Sequence, residues 1–133
     1  MKFTGKRLLK NLSPKSKRDI GASGEDYACK ILKARGMKII ERNFRTRLGE
    51  IDIIARDGEY TVFVEVRLRK DNDFGTPAET IDVRKRAKVI KAAKEYALKN
   101  HIYDSPMRFD AVVITGDDPH GFKAEVIENA FEL

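Results

Sequence analysis

The chain has 133 residues, 41% of them hydrophobic and 36% charged, with a net charge of +6; that is enough for one buried core and too little to expect two domains. Apolar runs end after about four residues, against the roughly 20 that a membrane span needs, and Leu8-Leu9 is too short for a signal-peptide core, so no membrane segment is expected and a cytoplasmic location is the default. The single Cys29 excludes an internal disulfide, and with His101 and His120 it shows no metal-ligand spacing, which sets aside a zinc site and catalysis built on a His.

Residues 1–18 read as a basic flexible arm, ahead of a folded domain over 19–133. Residues 1–19 hold seven Lys or Arg and one acid, and the rest of the chain is balanced at 20 of each sign. Such an arm can meet nucleic acid or another anionic surface, or it can serve only as a solubilising tail. Residues 19–35 then read as a helix, with Tyr27, Ala28, Ile31 and Leu32 in one apolar stripe and Gly36 as its stop. Residues 37–44 form a strand carrying Ile39 and Ile40. Residues 48–56 and 59–69 form a hairpin around Asp57-Gly58. Asn72 to Gly75 is a loop, and Thr76-Pro77-Ala78-Glu79 fits a capping box with Pro at the first helical position. Asp82 caps a longer helix to about Asn100. That helix is expected to bury Ala87, Ile90, Ala93 and Ala97 and to turn its basic residues outward. A strand over 108–114, a turn over 117–121 and a strand over 122–128 complete the order α-β-β-β-α-β-β. The expected architecture is α/β, a mixed sheet flanked by helices.

The hairpin concentrates the chemistry. With Asp57-Gly58 as a two-residue turn, Ile51 faces Val64 and Ile53 faces Val62. Ile51, Ile53, Ala55, Val66 and Leu68 then share the apolar face, and Glu50, Asp52, Glu65 and Arg67 share the other. Asp52 lies diagonal to Glu65, about 7–8 Å away between Cα atoms. A four-residue loop would set the two acids directly opposite without changing their face. Crowded carboxylates cost stability unless a proton, a cation or solvent relieves them.

Phosphodiester hydrolysis requires that the phosphate be neutralised, a water activated and the leaving oxygen stabilised. Mg²⁺ or Mn²⁺ held by one or two carboxylates, with positions open for water and phosphate, supplies most of this. Asp52 and Glu65 meet that need, and Arg67 stands two residues along the same strand face to touch the phosphate.

These residues carry a resemblance. Gly24-Glu25, Gly49-Glu50-Ile51-Asp52, Val62-Phe63-Val64-Glu65-Val66-Arg67, Phe74-Gly75, Lys85 and Arg108-Phe109-Asp110 together resemble the YraN family of small bacterial proteins, over about Asp19 to Phe131. The resemblance implies a restriction-endonuclease-like fold with a PD-(D/E)xK hairpin, similar to archaeal Holliday-junction resolvases. It implies that Asp52 and Glu65 are metal-binding acids and that Glu25, on the first helix, is the extra acid of resolvases. It also implies a homodimer, as resolvase-like proteins often form. Arg67 stands where the wider superfamily usually has Lys. Arg effectively never loses its proton, so it is a poor base, although it binds phosphate in a bidentate fork.

The expected partner is nucleic acid, above all structured DNA, with Mg²⁺ or Mn²⁺ as cofactor. Arg67, Arg69, Lys70, Arg84, Lys85 and Lys88 are the expected backbone contacts. Plainer readings stand beside several of these residues. Glu50 reads as an exposed strand residue, Glu25 as a boundary acid in a surface ion pair, and Lys85 as a solvated helix Lys. Arg108 and Asp110 read as a structural ion pair. Two rival functions also stand: a catalytically inactive nucleic-acid-binding module, supported by Arg67, and an interaction protein whose arm docks on an acidic or RNA partner.

Overall fold

The computed structural model describes residues 17–69, 83–116 and 119–131. Its elements are α1 (Lys17–Ala34), β1 (Lys38–Arg45), β2 (Glu50–Asp57), β3 (Tyr60–Arg69), α2 (Val83–Lys99), β4 (Met107–Thr115), a short 3₁₀ turn (Pro119–Gly121) and β5 (Lys123–Phe131). This is the expected order of helices and strands. The arm through residue 16, Lys70, the loop and capping box over 72–79, and Asp82 lie outside the described residues.

Both helices stop in the same way. Gly36 takes a left-handed φ of 93°; its N–H donates to the Lys33 carbonyl at 2.9 Å, and that of Met37 to the Leu32 carbonyl at 3.0 Å. These are the paired bonds of a Schellman stop, and they return the chain directly into β1. At the end of α2 the left-handed position is taken by His101, at φ 56°, with Ile102 N–H bonded to the Ala97 carbonyl at 2.9 Å.

The five strands lie in the order β1-β2-β3-β4-β5. The β3–β4 pair is parallel and the other pairs are antiparallel. A parallel pair needs a long connection, and the segment bearing α2 supplies it. Each helix covers one face. On the α1 side, Ala28 and Leu32 pack with Val62, Val64, Val112 and Ile114. On the α2 side, Val89, Ala92, Ala93 and Tyr96 pack with Ile54, Phe63, Phe109 and Phe131. Tyr96 meets Phe44 and Phe63 edge-on, at 5.2 and 5.8 Å between centroids, which is a favoured aromatic geometry. The central strand β3 and its parallel neighbour β4 are consequently buried on both sides, over Thr61 to Glu65 and over Arg108 to Ile114. No described helix is long and apolar enough to cross a membrane.

One expectation is corrected here. Helix α2 does not bury the stripe through Ala87 and Ile90: Ala87 is exposed and Ile90 half-buried, whereas Val89, Ala92, Ala93, Tyr96 and Ala97 are buried. Val89 and Tyr96 offer more apolar surface than Ala87, so the helix turns to put them inward. Arg108 and Asp110 do form the expected ion pair, at 3.0 Å, with Asp110 fully buried. Asp57 joins it through Arg108 Nη2 at 2.9 Å.

Candidate functional site

The turn between β2 and β3 is Gly58-Glu59, not Asp57-Gly58. Asp57 pairs with Tyr60 and Ile53 with Val64. Gly58 sits at φ 61°, the left-handed value that a type II′ turn asks of its first loop residue. The register has slipped by an even step, so each side chain of the paired region keeps its expected face. The ladder stops at Ile53–Val64, and beyond it the N–H of Val66 donates to Asp52 Oδ2 at 2.8 Å. Past this break Ile51 departs from expectation. It packs with Phe44, Ile54 and Val89 under α2, not with Ile53 and Ala55 under α1.

Asp52 and Glu65 converge on the α2 side, their carboxyl groups within hydrogen-bonding reach of each other. Glu65 is only 1% exposed. A third group reaches them from α2: Lys85, whose Nζ pairs with Glu65 Oε2. Lys85 is therefore not a fully solvated helix residue, and the plainer reading of it is corrected. Its stem begins the stripe that continues through Val89, Ala92 and Tyr96. Glu65 Oε2 is closed off from solvent, and its counter-charge is that ammonium. Burial, followed by the charge of Asp52, pushes Glu65 up to about 8 despite the opposing pull of Lys85. Burial raises Asp52 as well, against the Val66 N–H and Lys85. Both shifts run upward, so the pair holds a proton to higher pH than two separate carboxylates would.

The other expected residues are distributed around this centre. Arg67 is half-buried on the same strand, and its side chain has no hydrogen-bond or ion-pair partner among the described residues. Glu25 is not brought to the pair: its carboxylate meets Arg42 on β1 at 3.4 Å, beside Asp26 on the same guanidinium at 2.9 Å. Glu50 lies close enough to raise Asp52, yet its own carboxylate pairs with Arg45 at 2.6 Å. Arg69 stands half-buried at the end of β3, and Arg84 and Lys88 are exposed on α2. Lys70 lies outside the described residues.

The sequence profile of the uncharacterised protein family UPF0102 matches residues 24–114, a span that takes in the acid pair, Arg67 and Lys85. The chain belongs to this family. It is 43% identical to a UPF0102 protein of Carboxydothermus hydrogenoformans over 107 residues, 80% of this chain and 91% of the relative. It is 45% identical to one of Hahella chejuensis over 108 residues, 81% of this chain and 82% of the relative. With one of Magnetococcus marinus it shares 42% identity over 123 residues, covering 92% of this chain and 96% of the relative. The resemblance to the YraN family read from the motif residues is thereby shown.

Two features of this UPF0102 member bear on a metal. Asp52 and Glu65 are hard oxygen donors, and burial and, for Glu65, the charge of Asp52 raise them despite the pull of Lys85, so a bound cation would relieve both. Among the described residues no three His, Cys, Asp or Glu side chains form a metal-holding group. Two carboxylates do not make a closed cage of protein ligands. They suit Mg²⁺ or Mn²⁺, which keeps several waters and takes the remaining ligands from a phosphate.

Sequence reasoning underrated Lys85 and missed the loop that precedes Asp52. The signal for Lys85 was present: it lies four, seven and eleven residues before Val89, Ala92 and Tyr96, on the face that α2 buries. The loop, Thr46 to Gly49, reads from sequence only as a gap between strands.

Proposed function

We propose that this protein binds nucleic acid and hydrolyses phosphodiester bonds with the help of a divalent cation, on a restriction-endonuclease-like core of the PD-(D/E)xK type. The observation that carries the proposal is the meeting of a buried acid pair, Asp52 and Glu65, with the ammonium of Lys85. Bound Mg²⁺ or Mn²⁺ would supply charge neutralisation at the phosphate and a lowered pKa for the attacking water. Asp52 and Glu65 would hold it, with Asp52 oriented by the Val66 N–H. Lys85 holds Glu65 by its ammonium, a compact point charge that can also donate to a phosphate oxygen drawn into the site, beside the fixed fork of Arg67. Arg67 then binds the phosphate as a fork, and Arg84 and Lys88 follow the backbone from α2. Backbone contacts of this kind give affinity that depends on salt and little on sequence.

The test is nicking of branched DNA by the full chain with Mn²⁺. Asp52→Ala and Glu65→Ala should abolish nicking, and Lys85→Met should lower its rate by about 10²–10³ while Arg67→Lys retains it. Nicking that survives loss of either acid would refute the assignment. One observation favours a second reading: Lys85 already neutralises Glu65, as a protein that binds without cleaving would need. That reading expects steeply salt-dependent binding, with DNA left intact by every metal.

A further inference from the structure

We propose that the β1–β2 loop is a wedge that unstacks bases beside the acid pair, so that the substrate is a junction, fork or frayed end and not an uninterrupted duplex. This rests on the nucleic-acid reading above.

The loop is stiff. Thr46 Oγ1 accepts hydrogen bonds from the N–H groups of Leu48 and Gly49, each at 3.0 Å, and Thr46 N–H donates to the Gly49 carbonyl at 2.8 Å. It is also seated on α2. A Cβ at Gly49 would lie 2.2 Å from the Lys88 carbonyl oxygen, so only glycine lets the loop backbone approach the helix this closely. At the tip of this braced turn, Leu48 is 49% exposed. An apolar side chain carried into water on a braced backbone gains nothing for the fold, but it can enter a base step without the entropy loss of ordering a mobile loop.

The surroundings are those of a polyanion site. Arg47, next to the tip, has no ion-pair partner among the described residues. Arg45, its side chain 74% exposed although paired with Glu50, stands at the start of the turn. Lys88 lines the same cleft as Arg45, Arg47, Leu48 and Gly49, with Glu50 the one acid among them. Cations at the rim suit the phosphates on either side of an opened step. Placement supports the same conclusion. The loop feeds straight into β2, and Asp52 lies three residues beyond Gly49. Lys88 lies one helical turn beyond Lys85. A strand parted at Leu48 is delivered to Asp52, Glu65 and Lys85.

The experiment is titration of the full chain into forked DNA carrying 2-aminopurine at the branch, in EDTA so that binding is read without cleavage. Fluorescence should rise with the wild type. At protein concentrations where anisotropy shows the DNA fully bound, Leu48→Ala should lose the rise, and Leu48→Phe should restore it. Arg47→Ala should lower the slope of log affinity against log salt by about 1. Leu48 is exposed, so these variants should fold, and an unchanged melting curve checks that they do. A rise that persists in Leu48→Ala, or wild-type binding without any rise, overturns the wedge. DNA that is unstacked yet never nicked with Mn²⁺ overturns the hydrolytic reading alone, and failure to bind overturns both.

Discussion

Glu65→Gln tests the acid pair without any assumption about substrate. In the folded protein Glu65 sits at about 8, against its ordinary 4.5. For an acid raised in this way the sign runs against the usual acid-unfolding trend. Below about pH 4.5 both states are protonated and the group is neutral to stability. Between 4.5 and 8 the unfolded chain has released the proton that the fold retains, so stability falls as pH rises, and the cost is complete above 8. At about 1.36 kcal/mol per pKa unit, the ionised form costs about 5 kcal/mol. Glu65 is only 1% exposed, so solvent screens little of this. A Gln amide keeps the shape and can accept from Lys85, but its remaining buried polar atom costs about 1–3 kcal/mol. The variant should therefore be close to wild type at pH 5 and roughly 3 kcal/mol more stable at pH 9, a difference of about 10 °C in Tm for a chain of this size. Thermal melts by circular dichroism from pH 4.5 to 9 read this directly. Mg²⁺ at pH 8 should raise the wild-type Tm and leave the variant unmoved, because only the wild type offers two carboxylates. A wild-type profile that is flat from pH 5 to 8, or one that falls equally in the variant, would refute the assignment of that proton to the Asp52–Glu65 pair.

Three further substitutions test the frame around the site. Arg108→Met should cost about 3–5 kcal/mol in urea unfolding at pH 7, because Asp110 is fully buried and would lose its counter-charge; a loss below about 1 kcal/mol would show that the pair is dispensable. Gly49→Ala should cost about 1–3 kcal/mol, since the added methyl meets helix backbone at Lys88 that cannot swing aside, and amide exchange should show the loop displaced from α2. His101→Gly should stabilise by about 1 kcal/mol, because the left-handed φ of 56° penalises a residue with a Cβ; an unchanged unfolding midpoint would count against that strain.

Local pattern was enough for the element order. Gly36 marked the end of α1 because the left-handed residue of a helix stop favours glycine, and apolar residues at helical spacing up to about Asn100 marked α2. Alternation along β2 and β3 was enough to put Asp52 and Glu65 on one face. Strand parity survives any even slip, so moving the turn from Asp57-Gly58 to Gly58-Glu59 did not separate them.

What pattern could not settle was the phase of α2. Ala87, Ile90, Ala93 and Ala97 form a plausible apolar stripe, but so do Val89, Ala92, Ala93 and Tyr96. The choice fell to whichever side chains filled the space over Phe44, Phe63 and Phe109. That rotation carried Lys85 from solvent to Glu65. The same holds for Glu25, whose partner became Arg42 on a strand folded alongside its helix. Which acids share a face is a property of covalent alternation, and the chain carries it alone. Which cation comes to neutralise them depends on how a helix rolls against the sheet, and only the assembled core decides that.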